Sequence, residues 1–294
     1  MAELRVGVLG ASSLVGECVR PLLRAAGWQV AAYTRQAQQR DELGVSWLVL
    51  PTGASGRPVS QDDAVVTPYW ICVAPIWVLP DYFFLIEASG AQRVVVLSST
   101  SRFTKISSGD TAENAIAAKL IESEARVQAW AENRGIEWII LRPTLIYGLG
   151  RDKSISEITR LIRRFSFFPV FGKAQGLRQP IHAEDVAAAC ISALQAAGAA
   201  NRAYNISGGE TLTYRDMVAR VFAALGRRTR LLTVPLWAFR LAVTTLRCLP
   251  RYRQWSAAMA ERMSSDLVFD HTDAARDLGF KPRAFVLTAE DLPL

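Results

Sequence analysis

The residues that could do chemistry begin at the N-terminus. Val6-Gly7-Val8-Leu9-Gly10-Ala11-Ser12-Ser13-Leu14-Val15-Gly16 places glycines after an apolar run and at the start of an amphipathic one. At such a turn the uncovered N–H groups and the helix dipole hold a pyrophosphate. Gly10 permits the tight turn and Gly16 lets the helix pack closely on the strand, while Ser13 stands where a middle glycine is usual. A serine there leaves less room but brings a hydroxyl. An ordinary strand–helix turn has the same local pattern, so its place at the first strand of a strand–helix–strand series is what favours a dinucleotide. The expected contacts are Gly10, Ser12, Ser13, Leu14, Val15 and Gly16. At the end of the second strand, Tyr33-Thr34-Arg35 offers no carboxylate to ribose hydroxyls, and none follows until Asp41. NAD sites usually place a carboxylate there. Arg35, beside Thr34, instead offers a cation to a 2′-phosphate, with a solvated loop arginine as the competing reading. The cofactor expected is NADP rather than NAD.

The elements that must position these residues follow from periodicity. Leu4–Leu9, Gln29–Tyr33, Ser46–Leu50, Tyr69–Val73, Arg93–Ser98 and Glu137–Leu141 read as short buried strands. Leu14–Ala26 and about Thr111 to Asn133 read as helices, the second ended by Gly135. Alternation of this kind implies right-handed crossovers and a parallel sheet covered on both faces. The fold class expected is α/β, a doubly wound parallel sheet over residues 1–147. Residues 148–294 are expected to form a smaller substrate-binding subdomain interleaved with that sheet. There the pattern predicts a basic helix Lys153–Phe165, an aromatic loop Phe167–Phe171 and an extended Arg178–His182. A helix Ala183–Ala196, a strand Ala203–Ile206, a helix from Tyr214, a strand Leu231–Val234, an apolar segment Pro235–Leu249 and a helix Thr272–Leu278 follow. Gly53–Ser60 reads as a loop.

Composition excludes several classes. The chain has 294 residues, half of them hydrophobic and 21% charged, which supports a large core and argues against global disorder. No run of about 18 apolar residues is free of charge, as a membrane span would require. Met1-Ala2-Glu3-Leu4-Arg5 leads straight into a strand, so no cleaved secretory leader is expected. Cys18, Cys72, Cys190 and Cys248 are scattered and form no metal or disulfide pattern, which fits a reducing cytoplasm. Lys and Arg number 34 against 27 Asp and Glu, and this +7 excess favours anionic partners without choosing among them. No nucleic-acid module is recognisable. Leu231–Tyr252, with Arg240, Arg247, Arg251 and nearby Arg253, is expected to be a lid or a dimer contact rather than a membrane-surface helix.

Together with the glycine turn, several stretches resemble the extended short-chain dehydrogenase/reductase superfamily, in its NAD-dependent epimerase/dehydratase-like branch. Val94-Val95-Val96-Leu97-Ser98-Ser99-Thr100 is similar to the family's fifth strand and its active-site hydroxyl. Leu141-Arg142-Pro143-Thr144-Leu145-Ile146-Tyr147-Gly148 resembles the sixth strand and the loop that places the nicotinamide. Arg178-Gln179-Pro180-Ile181-His182-Ala183-Glu184-Asp185-Val186-Ala187 resembles the family's Arg-x-x-Ile-His-x-x-Asp-Val-Ala segment. Arg262 to Asp266 and Ala274 to Pro282 resemble its C-terminal end. The resemblance implies cofactor contacts from Ala74, Pro75, Ser98, Pro143 and Thr144. It implies substrate contacts from Arg178 and Arg262 to a nucleotide-sugar pyrophosphate, each with a surface charge as the competing reading. His182 is expected to be structural.

One departure bears on chemistry. The family's Tyr-x-x-x-Lys sets a phenolate and a lysine on one helix face. Here Asn114-Ala115-Ile116-Ala117-Ala118-Lys119 keeps the lysine, but Ala115 takes the tyrosine's place, and no tyrosine occurs between Tyr82 and Tyr147. Ser99, with Thr100 as the competing choice, is then the expected catalytic hydroxyl, and Lys119 is expected to hold nicotinamide ribose. Two functions remain open on the sequence. One is an NADP-dependent epimerase, dehydratase or reductase acting on a nucleotide sugar or similar small polar molecule. The other is a dinucleotide-binding protein without turnover that serves a partner. A homodimer is compatible with either.

Overall fold

The computed structural model describes residues 4–36, 41–50, 66–106, 110–235 and 262–293. Gly53–Ser60, Cys248 and the segment from residue 236 to 261, with its four arginines, lie outside the described residues. Six strands come from the first half: β1 (Arg5–Leu9), β2 (Gln29–Thr34), β3 (Val45–Val49), β4 (Tyr69–Cys72), β5 (Arg93–Leu97) and β6 (Glu137–Pro143). A seventh strand, Arg202–Ile206, pairs in parallel with β6 and completes a seven-stranded sheet. Naming it β11 in chain order, the sheet runs β11-β6-β5-β4-β1-β2-β3, with all neighbours parallel. This is a Rossmann-like doubly wound α/β fold, and its order reverses at β1. In such sheets a ligand crevice opens at the carboxyl ends of the strands beside the reversal.

Buried runs make the strands. Every residue of β5, Arg-Val-Val-Val-Leu, is buried, as a strand covered on both faces requires. On one face Val6, Val8, Val30 and Val95 pack under α1 (Leu14–Ala25) and α6 (Ala183–Gln195). On the other, Leu9, Trp70, Val94, Val96 and Ile140 pack under α4 (Thr111–Arg134) and the 3-10 segment Ile76–Tyr82. Asp110 caps the start of α4 by accepting from Ala112 N at 2.9 Å. Gly135, at φ +66°, ends it. Two short helices, α2 (Phe83–Ala88) and α3 (Ser101–Thr104), flank β5.

The second half builds its own core between α5 (Ile155–Phe165), α7 (Tyr214–Ala224) and two short parallel strands. Those strands are β8 (Phe168–Phe171) and β13 (Leu231–Val234). The aromatic loop expected over Phe167–Phe171 is therefore a strand, because Leu231–Val234 supplies the pairing partner that local sequence does not reveal. The extended stretch expected over Arg178–His182 divides into β9 (Leu177–Arg178) and β10 (Ile181–His182), which pair with β12 (Leu212–Thr213) and β7 (Ile146–Tyr147). The helix α8 (Thr272–Leu278) ends at Gly279. No helix among the described residues is long and apolar enough to cross a membrane.

His182 ties the chain's end to this core. Its Nδ1 accepts from Glu184 N at 3.2 Å, so Nε2 carries the proton and faces Asp291 Oδ1 at 3.0 Å. Burial pushes the Asp291 carboxyl upward, but the hydrogen bonds from His182 and from the Thr288 N–H and hydroxyl outweigh it and hold the group down at about 2. A carboxylate whose pKa falls on folding stabilises the fold above its ordinary pKa, and that stability is lost as pH drops through the folded value. About 2 kcal/mol should therefore disappear as pH falls from about 4 to about 2. Acid unfolding of Asp291→Asn, followed by circular dichroism, should show a shallower slope across that window than the native chain.

Candidate active site

At the end of β1, Gly10 has φ +82°, and a Cβ there would lie 2.6 Å from Ala74 N. A Cβ on Gly16 would lie 2.5 Å from Gly10 O. Both positions demand glycine, and Gly10 lets the loop after β4 lie against the turn at Ala74. Ser13 caps α1, its hydroxyl accepting from Gly16 N at 3.1 Å. Its oxygen is thus turned into the helix end, where it closes the turn instead of projecting from it. Among the described residues no protein acceptor faces the N–H groups of Leu14 or Val15. Unpaired first-turn amides, together with the dipole, make the anion-binding cradle a pyrophosphate needs, so the residues present fit a dinucleotide.

Two arginines absent from the sequence reading brace this turn. Arg20, nearly buried in α1, reaches the Ala11 carbonyl and pairs with Glu42 at 3.1 Å. Arg151, from the loop after β7, lies 3.3 Å from the Ser12 carbonyl and 2.8 Å from Glu17. It brings a half-exposed cation to the phosphate turn from far along the chain. Thr34 is buried, and its hydroxyl donates to the Gln36 carbonyl at 2.6 Å, shaping the loop that leaves Arg35 exposed.

The β5 end is held from behind by a buried carboxylate. Glu124 of α4, 1% exposed, accepts from the Ser98 hydroxyl and pairs with Arg102 and with Arg142, the latter at 2.6 Å. Ser98 therefore faces away from the crevice, while Ser99, one residue on, lines it. The Ser99 hydroxyl accepts from Ser101 N at 3.1 Å. Thr100, the competing residue, is buried and donates to the Pro143 carbonyl at 3.1 Å. Thr144 lines the crevice too, with its hydroxyl bonded to the Gln179 carbonyl.

The crevice encloses about 580 Å³ between the β5 and β6 ends and the second-half core. Arg178 and Arg262 both line it, but their charges have protein partners. The Arg178 guanidinium donates to the carbonyls of Leu177, Ser265 and Arg262 and lies 5.4 Å over the Tyr214 ring. Arg262 forms an ion pair with Glu113 of α4. Lys105, unnoticed in the sequence, also lines the crevice, and burial lowers its pKa with help from the Arg262 charge.

Lys119 and Ala115 are both exposed on α4, and neither lines this cavity. The Lys119 ammonium lies 4.8 Å over the Trp77 ring, just past Ala74-Pro75, and so turns towards the same loop as the glycine turn. Tyr147 is fully buried; its ring packs on His182 and Phe285, and its hydroxyl reaches the Val286 carbonyl at 3.4 Å. Tyr214 does line the cavity, but burial pushes its pKa up to about 12, so it keeps its proton at neutral pH.

Residues 83–207 match the model of the NAD dependent epimerase/dehydratase family. That stretch is under half of the chain, and over it the chain is similar to this family. It is similar to the UDP-glucose 4-epimerase of Vibrio cholerae, 24% identical over 161 residues that cover 55% of this chain and 47% of that one. The chain spans about half the length of the curated relatives it matches. Among solved structures, UDP-N-acetylglucosamine 4-epimerase from Bacillus cereus superposes with a TM-score of 0.70 at 15% identity, covering 95% of this chain and 94% of that one. MoeE5 in complex with UDP-glucose and NAD superposes with a TM-score of 0.67 at 20% identity, covering 96% and 94%. The residues matched by the family model include β5, α4 and β6, the elements that meet at Ser99 and Glu124. No group of His, Cys, Asp and Glu among the described residues could hold a metal ion.

Proposed function

We propose that the chain is an NADP-dependent, epimerase/dehydratase-like protein whose cofactor lies along the Gly10–Gly16 turn and whose small-molecule substrate enters the cavity at Ser99. The observation that carries this reading is the turn itself, where two obligatory glycines and unpaired amides end a β1 strand at the sheet's reversal. Arg35, exposed beyond β2, supports a 2′-phosphate over a bare ribose. Trp77 holds Lys119 towards the Ala74-Pro75 loop, which supports its role on the nicotinamide ribose. Arg178 and Arg262, already partnered by the protein, act as walls of the cavity more than as phosphate clamps.

NADP, when bound, supplies or accepts a hydride. The chain's own part is to orient a substrate oxygen and manage its proton. Ser99 offers a hydroxyl at the cavity's sheet end, and Lys105 offers an ammonium whose lowered pKa eases proton release. Ala115 stands where the resemblance puts the phenolic acid and can do neither. A nucleotide sugar is the class that the relatives' names bring to this chain. Assays of epimerisation and dehydration with UDP-glucose should therefore give little rate, and Ser99→Ala should abolish what remains. Vigorous turnover that survives Ser99→Ala would overturn the assignment of that hydroxyl.

A second reading, dinucleotide binding without turnover, is favoured by the same alanine. Cofactor binding is common to both readings.

A further inference from the structure

The cavity at Ser99 has two chemically different halves. Its sheet end carries Ser99, Ser101, Thr104, Lys105 and Thr144. Its far wall is made by Leu161, Phe168, Phe171, Met217 and Met263, drawn from α5, β8, α7 and the chain's last third. Those far-wall side chains carry no hydrogen-bond donor or acceptor apart from the weak methionine sulfurs. The ionisable groups among the described lining residues are, apart from Tyr214, the cations Lys105, Lys153, Arg178 and Arg262 against a single carboxylate, Glu157. Glu157 lies in the first turn of α5, and Lys153 just before that helix.

From this division we infer that the substrate is an anionic amphiphile, a phosphate or carboxylate head on an apolar chain, with its head at Lys105 and its chain against the far wall. The inference rests on the reading of this cavity as the substrate site and narrows the substrate class. A sugar or a nucleobase placed against Leu161, Phe168, Met217 and Met263 would lose water from most of its hydroxyls or amides, with only the Tyr214 hydroxyl and the Glu157 carboxylate nearby as partners. An alkyl chain loses nothing there and gains burial. The two methionines adapt to chains of differing shape. Arg178, held by backbone carbonyls, and Arg262, paired with Glu113, do not offer a paired clamp for a diphosphate. Lys105 is partly desolvated beside Arg262, and an anionic head placed there relieves the repulsion between them.

Calorimetric titration of the full chain with decyl phosphate, decanoate, decanol and UDP-glucose, each below its micelle concentration, tests this. Decyl phosphate or decanoate should bind one to one, at least about tenfold more tightly than decanol or UDP-glucose. Which anion binds better distinguishes a phosphate head from a carboxylate. Lys105→Gln should weaken the anion about tenfold and leave decanol unchanged, and Leu161→Asn should weaken decyl phosphate and decanol alike. UDP-glucose binding as tightly as decyl phosphate would overturn the inference, as would equal affinity for decanol, or decyl phosphate affinity indifferent to both substitutions. NADPH is titrated separately. Its failure to bind would remove the cofactor reading, while binding of decyl phosphate would still mark an amphiphile site.

Discussion

Glu124→Ala should destabilise the protein by about 3 kcal/mol, because it leaves two partly buried guanidinium groups behind the β5 end without their carboxylate. Glu124 is 1% exposed and is shared by Ser98, Arg102 and Arg142. Those partners come from β5, α3 and β6, so the carboxylate joins three elements at the point where Ser99 leaves the strand. The Arg102 and Arg142 side chains also lie 5.1 and 5.4 Å from the Phe103 ring, so the disturbance reaches the cavity's Phe269 through Phe103. Denaturant unfolding measures the loss directly. Glu124→Gln, which keeps the shape and one oxygen, should cost less than the alanine. A loss below about 1 kcal/mol for the alanine would place this cluster with surface ion pairs.

Ala115→Tyr should raise hydride transfer by about 10²–10⁴-fold, the usual contribution of a positioned proton donor. The geometry admits the change. Ala115 and Lys119 are both exposed on α4 and stand four residues apart, so a tyrosine displaces no core side chain and shares a face with the lysine. The assay reads hydride transfer to NADP+ from UDP-glucose and from decyl-chain alcohols with an anionic head, and from NADPH to the corresponding ketones. A gain identifies a chain that has kept its pocket and lost its acid. No gain in a folded, NADPH-binding variant means that a phenol at position 115, outside the cavity's lining, does not reach the substrate.

The parts of the fold visible in sequence were those that short stretches determine alone. Arg93–Leu97 is a run of β-branched and apolar residues that only a doubly covered strand accommodates, and Gly10 and Gly16 are required by contacts within their own turn. Ile76–Tyr82, by contrast, follows neither a helical nor a strand period and contains Pro80, and it forms a 3-10 segment that places Trp77. Phe168–Phe171 becomes a strand because residues about sixty positions later pair with it. The candidate site shows the same division. The places of Ser99 at the β5 end and of Lys119 on α4 were legible from their motifs. The roles of Glu124, Arg151 and Lys105 depend on neighbours brought together by the sheet. Arg178 illustrates the cost of reading a motif without its surroundings, since carbonyls 84 and 87 residues away accept its N–H groups.

The central claim, that the glycine turn and Arg35 hold NADP, is tested most directly by calorimetric titration of the native chain and Arg35→Ala with NADPH and NADH. The native chain should bind NADPH more tightly than NADH, and removing a charge-assisted phosphate contact should cost about 1.5–3 kcal/mol, roughly 10- to 150-fold. Arg35→Ala should lose that factor for NADPH and leave NADH nearly unchanged. Equal affinity for the two cofactors in the native chain, or a preference that survives Arg35→Ala, would contradict the account.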